Sequence, residues 1–179
     1  MERDSSDTIA ALVKYGFGRI GEKMVRPIPM TESEFDVFIE KSIPEYAAEN
    51  VAAGYWSEED TLERSRKASS NLLPQGVKTE SNYLFRVQLE ESGEKVGMIW
   101  MKHEAPRPHG FIYDITLDEA QRGKGYGKQT MLALEEFADE LGVKTIGLHV
   151  FANNTAAMKL YKGLGYEVTS QNMVKRLKN

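Results

Sequence analysis

The 179-residue sequence contains no cysteine. That single absence removes disulfides, thiolate metal sites and a cysteine nucleophile. No apolar run reaches about 18 residues, so a membrane-spanning helix is not expected. Positive charge is not in excess either: 23 Lys and Arg stand against 27 Asp and Glu, a formal charge of −4. Broad electrostatic binding to nucleic acid is therefore disfavoured, although a local basic loop is not. A secretory leader would need a basic start and a longer apolar stretch, whereas the chain opens Met1-Glu2-Arg3-Asp4. No spacing of His, Asp and Glu suggests a metal site. What is present, 41% apolar and 28% charged residues, is the composition expected of a soluble, cytoplasmic protein with a single core.

Residues 1–23 read as an N-terminal extension, disordered or helical, with one short apolar run from Ile9 to Val13. Residues 24–179 read as one compact α/β domain. Met24 to Ile28 predicts a short strand. Thr31 with Glu34 is a capping box, followed by the helical stripe Phe35, Phe38 and Ile39. Ser57-Glu58-Glu59-Asp60 signals a second helix start, and the helix should fade by Leu72, ahead of Pro74. Strands follow at Tyr83 to Leu89, Val96 to Lys102 and Phe111 to Leu117. Met131, Leu134, Ala138 and Leu141 recur at helical spacing, and Gly142 marks the stop. Thr145 to Phe151 predicts a strand, Thr155 to Lys162 a short helix, and Tyr166 to Leu177 a closing strand or hairpin. This order fits one mixed sheet with helices on both faces.

The most informative segment is Gln121-Arg122-Gly123-Lys124-Gly125-Tyr126-Gly127-Lys128. Alternate glycines let the backbone approach a ligand and aim several N–H groups at one point. The helix that follows presents its positive dipole end, so an anion such as a pyrophosphate is the natural guest. A P-loop would need a hydroxyl after the lysine, but Gln129 follows Lys128. A Rossmann fingerprint would need its third glycine one position later.

The loop instead matches R-x-x-G-x-G, read as Arg122, Gly125 and Gly127. A second block, Val150, Asn154, Ala157, Leu160, Tyr161 and Gly165-Tyr166, matches V-x-x-x-N-x-x-A-x-x-L-Y-x-x-x-G-[FY]. Through these two blocks the chain resembles the GNAT superfamily, the GCN5-related N-acetyltransferases, in particular small bacterial members whose acceptor is often unassigned. The likeness is specific from Phe111 to Tyr166 and rests on element order alone from Met24 to His103. It implies a single GNAT-type α/β (α+β) domain with a mixed, mostly antiparallel twisted sheet. It also implies acetyl-CoA as cosubstrate and no metal.

On this resemblance Ile115, Thr116 and Leu117 would run beside the pantetheine arm. The amides of Arg122, Gly123, Lys124, Gly125, Tyr126 and Gly127, with Lys128 opening the helix, would hold the pyrophosphate. Asn154 would contact the cofactor arm, a role compatible with capping a helix. Tyr161 would protonate the departing thiolate; packing of its ring is compatible with that role. Lysine-acetylating relatives often carry a glutamate where Phe111 stands here. His149 falls where some N-terminal acetyltransferases place a base, and alternation puts it on one face with Gly147 and Phe151. Asp114, sharing a face with Ile112 and Thr116 by the same alternation, is the competing base. His103 and His109 read as surface residues flanking a proline-rich loop.

The implied reaction is direct attack of a primary amine on the thioester, with no acyl-enzyme. An α-amine titrating at about 7.7–8.0 is roughly a quarter neutral near about pH 7.4, whereas a lysine at about 10.4 is neutral to only about 0.1%. A lone histidine base therefore suits an α-amine or a small, less basic amine; the acceptors expected are a peptide N-terminus, a polyamine or another small amine. Tyr46, Glu49, Tyr55, Trp56, Glu58 and Glu59 would suit a cationic acceptor, or else simply cap a helix. Phe111 leaves room for a rival, a CoA-binding sensor or scaffold that has lost turnover; a module binding some other anion is a third reading. The sequence does not name the oligomeric state and leaves a homodimer open.

Overall fold

A computed structural model describes residues 24–175. The extension expected over residues 1–23 lies outside the described residues. The chain divides into two compact units, the first ending at His149 and the second beginning at Val150.

The first unit contains a five-stranded sheet ordered β1-β2-β3-β4-β5. The strands are β1 (Val25–Pro29), β2 (Asn82–Leu89), β3 (Lys95–His103), β4 (His109–Leu117) and β5 (Thr145–Leu148). The first four pair antiparallel and β5 lies parallel to β4. Helices α1 (Glu32–Ala52) and α2 (Thr61–Leu72) separate β1 from β2, and α3 (Tyr126–Glu140) separates β4 from β5.

The start of α1 is dictated locally. Thr31 Oγ1 accepts from the Glu34 N–H at 3.3 Å, and Glu34 Oε2 accepts from the Thr31 N–H at 2.9 Å. This reciprocal pair satisfies two donors that would otherwise be orphaned. The other Glu34 oxygen meets Arg86 of β2 at 2.7 Å and ties the helix start to the sheet. α1 continues through Pro44, where one backbone bond is lost. α2 is anchored beside that point, because Ser65 Oγ donates to the Ile43 carbonyl at 2.8 Å.

Strand alternation sends successive side chains to opposite faces, so each sheet face acquires its own helix. On one face Leu84, Met98 and Trp100 pack with Phe38 of α1 and with Leu73. Phe38 meets Trp100 edge-on, with centroids 6.2 Å apart, and the indole N–H donates to Asn82 Oδ1 at 2.8 Å. On the other face Phe137 of α3 meets Tyr83 at 5.0 Å and Phe85 at 5.1 Å. Met131, Leu134 and Ala138 are buried with it.

α2 begins at Thr61, directly after the start signal Ser57–Asp60, and Asp60 adopts a left-handed backbone with no side-chain cap. Three sequence expectations need correction. β5 ends at Leu148 rather than Phe151, where its pairing with β4 ends opposite Ile112. In the second unit, helix α4 (Thr155–Gly163) forms as spaced, but residues 166–175 carry no strand; residues 176 and 177 lie outside the described residues. Val168, Met173 and Val174 there stay largely exposed, and an apolar pattern without a partner ladder does not make a strand. Finally, the register slips between Trp100 and Met101: Trp100 faces Asp114, while Met101 faces Ile112. Tyr113 is thus the extra residue of a β-bulge, and Asp114 shares a face with Thr116 but not with Ile112.

Candidate active site

The glycine-rich loop joins β4 to α3 through a short 3-10 turn, Glu119–Gln121. Gly123 and Gly125 both hold left-handed φ, +75° and +85°, and a Cβ at either would meet nothing within 4 Å. Such angles are strained for any other residue. The N–H groups of Gln121 and Arg122 are taken by Asp118 and Glu119, and that of Gln129 by Gly125. Those from Gly123 to Lys128 find no backbone acceptor among the described residues. Six donors are therefore left without a backbone acceptor at the positive end of α3, an arrangement suited to a diphosphate.

The loop braces itself with its own side chains. Arg122 Nε donates to the Leu117 carbonyl at 3.1 Å, Lys124 Nζ to Gln121 Oε1 at 3.0 Å, and Gln121 Nε2 to Glu94 at 2.6 Å. Arg122 and Lys124 thus hold the loop's shape as well as supplying charge. Lys128 lies exposed in the first turn of α3.

Upstream, β4 pairs with β5 only from His109 to Ile112. From Tyr113 to Leu117 it is bonded to β3 alone among the described strands. Ile115, Thr116 and Leu117 therefore lack a second strand partner among the described strands, the Leu117 carbonyl being held by Arg122. An extended chain bearing amides can add to such an edge as a strand would.

Asp114 sits at the bulge, half-buried, with Oδ1 accepting from Thr116 Oγ1 at 2.9 Å. Burial, together with the negative charges of Glu45 and Glu49 on α1, pushes its carboxyl up to about 6; the Thr116 hydroxyl and Lys41 oppose the shift. Glu49 is itself raised, first by burial and then by Glu45, with His149 opposing. Asp114, Glu49 and His149 thus act on one neighbourhood. His149 lies exposed just beyond β5. Glu45 was missed in the sequence, although Lys41, Glu45 and Glu49 follow i, i+4, i+8 spacing along one line of a helix.

The raised Asp114 carboxyl has a consequence for stability. The folded chain holds this proton more tightly than the unfolded chain, whose carboxyl titrates near 3.8. Asp114 therefore contributes most at low pH, and that contribution is lost as pH rises through about 6. Asp114→Asn keeps an acceptor for Thr116. It is expected to raise stability above that pH by about 1–2 kcal/mol and to change it little in acid. Denaturant unfolding at both ends of the range checks this; an equal gain at both would contradict it.

Aromatic residues flank the carboxylates. Tyr113 stacks on Trp100 at 4.6 Å and meets Phe111 at 5.0 Å. Phe111 is thus part of an aromatic wall. Tyr46 meets Trp56 edge-on at 5.4 Å, and Arg64 lies 4.7 Å over the indole. The chain's own cation therefore covers that face of Trp56. Tyr55, Glu58 and Glu59 are exposed. His103 bonds the Arg107 carbonyl at 3.1 Å and His109 bonds Thr145 Oγ1 at 2.8 Å, both at the far end of the sheet from the loop.

In the second unit Asn154 caps α4, its Oδ1 accepting from the Ala157 N–H at 3.1 Å. Tyr161 is buried, its ring 5.9 Å from that of Tyr166. Among the described residues no group of three His, Asp or Glu side chains is arranged to hold a metal ion.

Comparison with known proteins gives these features a family. Residues 46–166 match the model of the acetyltransferase (GNAT) family. Two relatives from Bacillus subtilis (strain 168) are the uncharacterized N-acetyltransferases YdgE, 37% identical over 83% of this chain and 95% of its own length, and YycN, 39% identical over 83% and 96%. The crystal structure of YycN superposes with a TM-score of 0.81 at 38% identity, covering 87% of this chain and 99% of that one. AAC(6')-Iy, solved with a bisubstrate analog of CoA, shares the fold at a TM-score of 0.56 and 14% identity, covering 87% and 99%. On these likenesses this chain is an acetyltransferase belonging to the GNAT family.

Proposed function

We propose that the protein transfers an acetyl group from acetyl-CoA to a primary amine, by direct attack and without an acyl-enzyme. The observation that carries the donor half is the row of six N–H groups from Gly123 to Lys128, without backbone acceptors among the described residues and beside a helix start. Residues of that row, with Arg122 and Lys128, hold the diphosphate. The β4 edge at Ile115, Thr116 and Leu117 bonds the amide-bearing pantetheine arm, and Asn154 adds a contact to the same arm.

The acceptor half rests on charge. Protonated amines are drawn to a region carrying Glu45, Glu49 and Asp114, and two groups there, His149 and Asp114, are able to take the ammonium proton. The neutral nitrogen then attacks the thioester carbonyl carbon. As the tetrahedral intermediate collapses, the C–S bond breaks and the Tyr161 phenol gives its proton to the sulfur. The amide nitrogen sheds a second proton, which restores the phenol, so the net products are an amide, free CoA thiol and one proton.

The test is thiol release from acetyl-CoA with a panel of primary amines: glycine-terminated peptides, spermidine and an aminoglycoside. Wild-type protein is expected to acetylate at least one of them. Tyr161→Phe should lower kcat by about 10²-fold or more while CoA still binds in a calorimetric titration. Full activity of Tyr161→Phe on a good acceptor would remove the assigned role. Tight 1:1 binding of acetyl-CoA without transfer to any amine would favour a CoA-binding sensor or scaffold.

A further inference from the structure

The connection between α1 and α2 is folded back by one buried residue, Asn50. Its carbonyl accepts from the N–H groups of Tyr55 at 2.9 Å and Trp56 at 3.3 Å. Its side-chain amide donates to the Tyr46 carbonyl at 2.8 Å. These bonds seat Trp56 edge-on against Tyr46, and Arg64, in the first turn of α2, lies 4.7 Å over the indole. Glu59, Asp60 and Glu63 are all within five residues of Arg64 in sequence. None pairs with it: among the described residues the Arg64 guanidinium makes no ion pair or hydrogen bond. An aromatic face, not an acid, holds this cation, and its in-plane N–H groups stay unspent.

At its other side Tyr46 bears on Tyr113 of β4, which stacks on Trp100 and immediately precedes Asp114. Tyr46 and Tyr113 stay partly exposed, at 44% and 37%. A row of rings, Tyr113, Tyr46 and Trp56, thus runs from the carboxylates Asp114, Glu45 and Glu49 to the guanidinium of Arg64. Negative charge marks one end of the row and an unpaired positive charge the other.

We infer that Arg64 is a specificity-determining residue that binds a carboxylate of the acceptor, whose amine lies at the opposite end of the row. The inference rests on the acetyl-transfer reading above and names the substrate class: a peptide amino terminus with an acidic side chain a few residues on. A guanidinium stacked on a ring keeps its fork free for a bidentate carboxylate. Arg64 already covers its face of the indole, so the acceptor's ammonium is left to the carboxylates at the other end. Steps of 4.7 and 5.4 Å lead from Arg64 through Trp56 to Tyr46. An extended chain rising about 3.3 Å per residue covers them in about three residues. A free amino acid, with both charges on one carbon, is too short for the whole row.

The experiment compares kcat/KM for the full chain with acetyl-CoA and amidated peptides that differ only in Glu against Gln. The varied position moves one residue at a time away from a glycine amino terminus. The wild-type protein is expected to prefer the Glu peptide by about tenfold at one of these positions. That preference should shrink as salt is raised. Arg64→Gln should bring the two peptides to the same kcat/KM, a ratio that a merely structural role would not move. Arg64→Lys keeps the charge without the fork and should retain only part of the preference. Arg66→Gln removes another exposed cation of α2. Two residues along a helix it does not share a face with Arg64, so the preference should survive.

Equal kcat/KM for the Glu and Gln peptides at every position in the wild type, a preference that survives Arg64→Gln, or an equal loss in Arg66→Gln would each overturn the assignment while acetyl transfer itself stood. So would a chain that acetylates spermidine but no peptide. Failure of the wild-type chain to acetylate any amine would instead overturn the functional reading, and the role of Arg64 with it.

Discussion

Phe137→Ala is expected to lower stability by about 3–5 kcal/mol, the range for a large aromatic removed from a closed core. Phe137 is 1% exposed and sits edge-on against two rings of β2, Tyr83 at 5.0 Å and Phe85 at 5.1 Å. The loss combines transfer free energy, two aromatic contacts and a cavity that the surrounding strands cannot close. For a chain of this size the melting temperature should fall by about 10 °C or more. The effect on chemistry should be indirect. α3 carries the exposed amides of the glycine loop at its first turn, and Phe137 near its last turn holds that helix on the sheet. Below its melting transition the variant should therefore bind acetyl-CoA close to normally, and the affinity should collapse together with the fold. Calorimetric unfolding paired with acetyl-CoA titration at two temperatures checks this. A drop in stability below about 1 kcal/mol would show that α3 is held elsewhere.

Gly97→Ala should be nearly as damaging, for a different reason. Gly97 lies on β3 opposite Leu117 of β4. A Cβ there would press into the Thr116 carbonyl oxygen and come within 2.8 Å of Leu117 Cδ2. The carbonyl is backbone and cannot turn aside like a side chain, so β4 itself must shift. Overpacking of this kind costs about 1–3 kcal/mol. The displaced stretch is also the one proposed to carry the pantetheine arm, and its Leu117 carbonyl anchors Arg122 of the loop. Gly97→Ala is thus expected to weaken acetyl-CoA binding by about tenfold or more, since a shift of about 1 Å at a positioned site is felt strongly. Gly163→Ala, at the end of α4, meets nothing within 4 Å and should be neutral or slightly stabilising. If the two substitutions behave alike in unfolding and in titration, the close approach of β3 to β4 is not what requires glycine at position 97.

Much of the architecture was legible along the chain because it is decided within a few residues. Thr31 and Glu34 find each other across one helical turn. The apolar spacing of Met131, Leu134 and Ala138 reappears as the buried stripe of α3. Gly123 and Gly125 adopt the left-handed angles that glycine permits. The errors fall where partners are distant. Alternation put Asp114 with Ile112, and the bulge against Trp100 and Met101 separated them. Tyr166 to Leu177 read as a closing strand or hairpin, yet residues 166–175 carry no strand.

The candidate site divides in the same way. Its anion-binding half is a contiguous run of residues whose chemistry is a property of the backbone, so it can be read in one line of letters together with the family it announces. The half that carries Asp114 cannot. The basicity of Asp114 depends on burial beneath α1 and on Glu45 and Glu49, far from it in sequence. Sequence alone thus determined caps, turns, helix faces, the amide loop and membership of the GNAT family, because short-range sterics and hydrogen bonds fix those. Only the folded chain decided which face Asp114 occupies and how tightly it holds a proton, because strand register and desolvation are set by residues that meet only after folding.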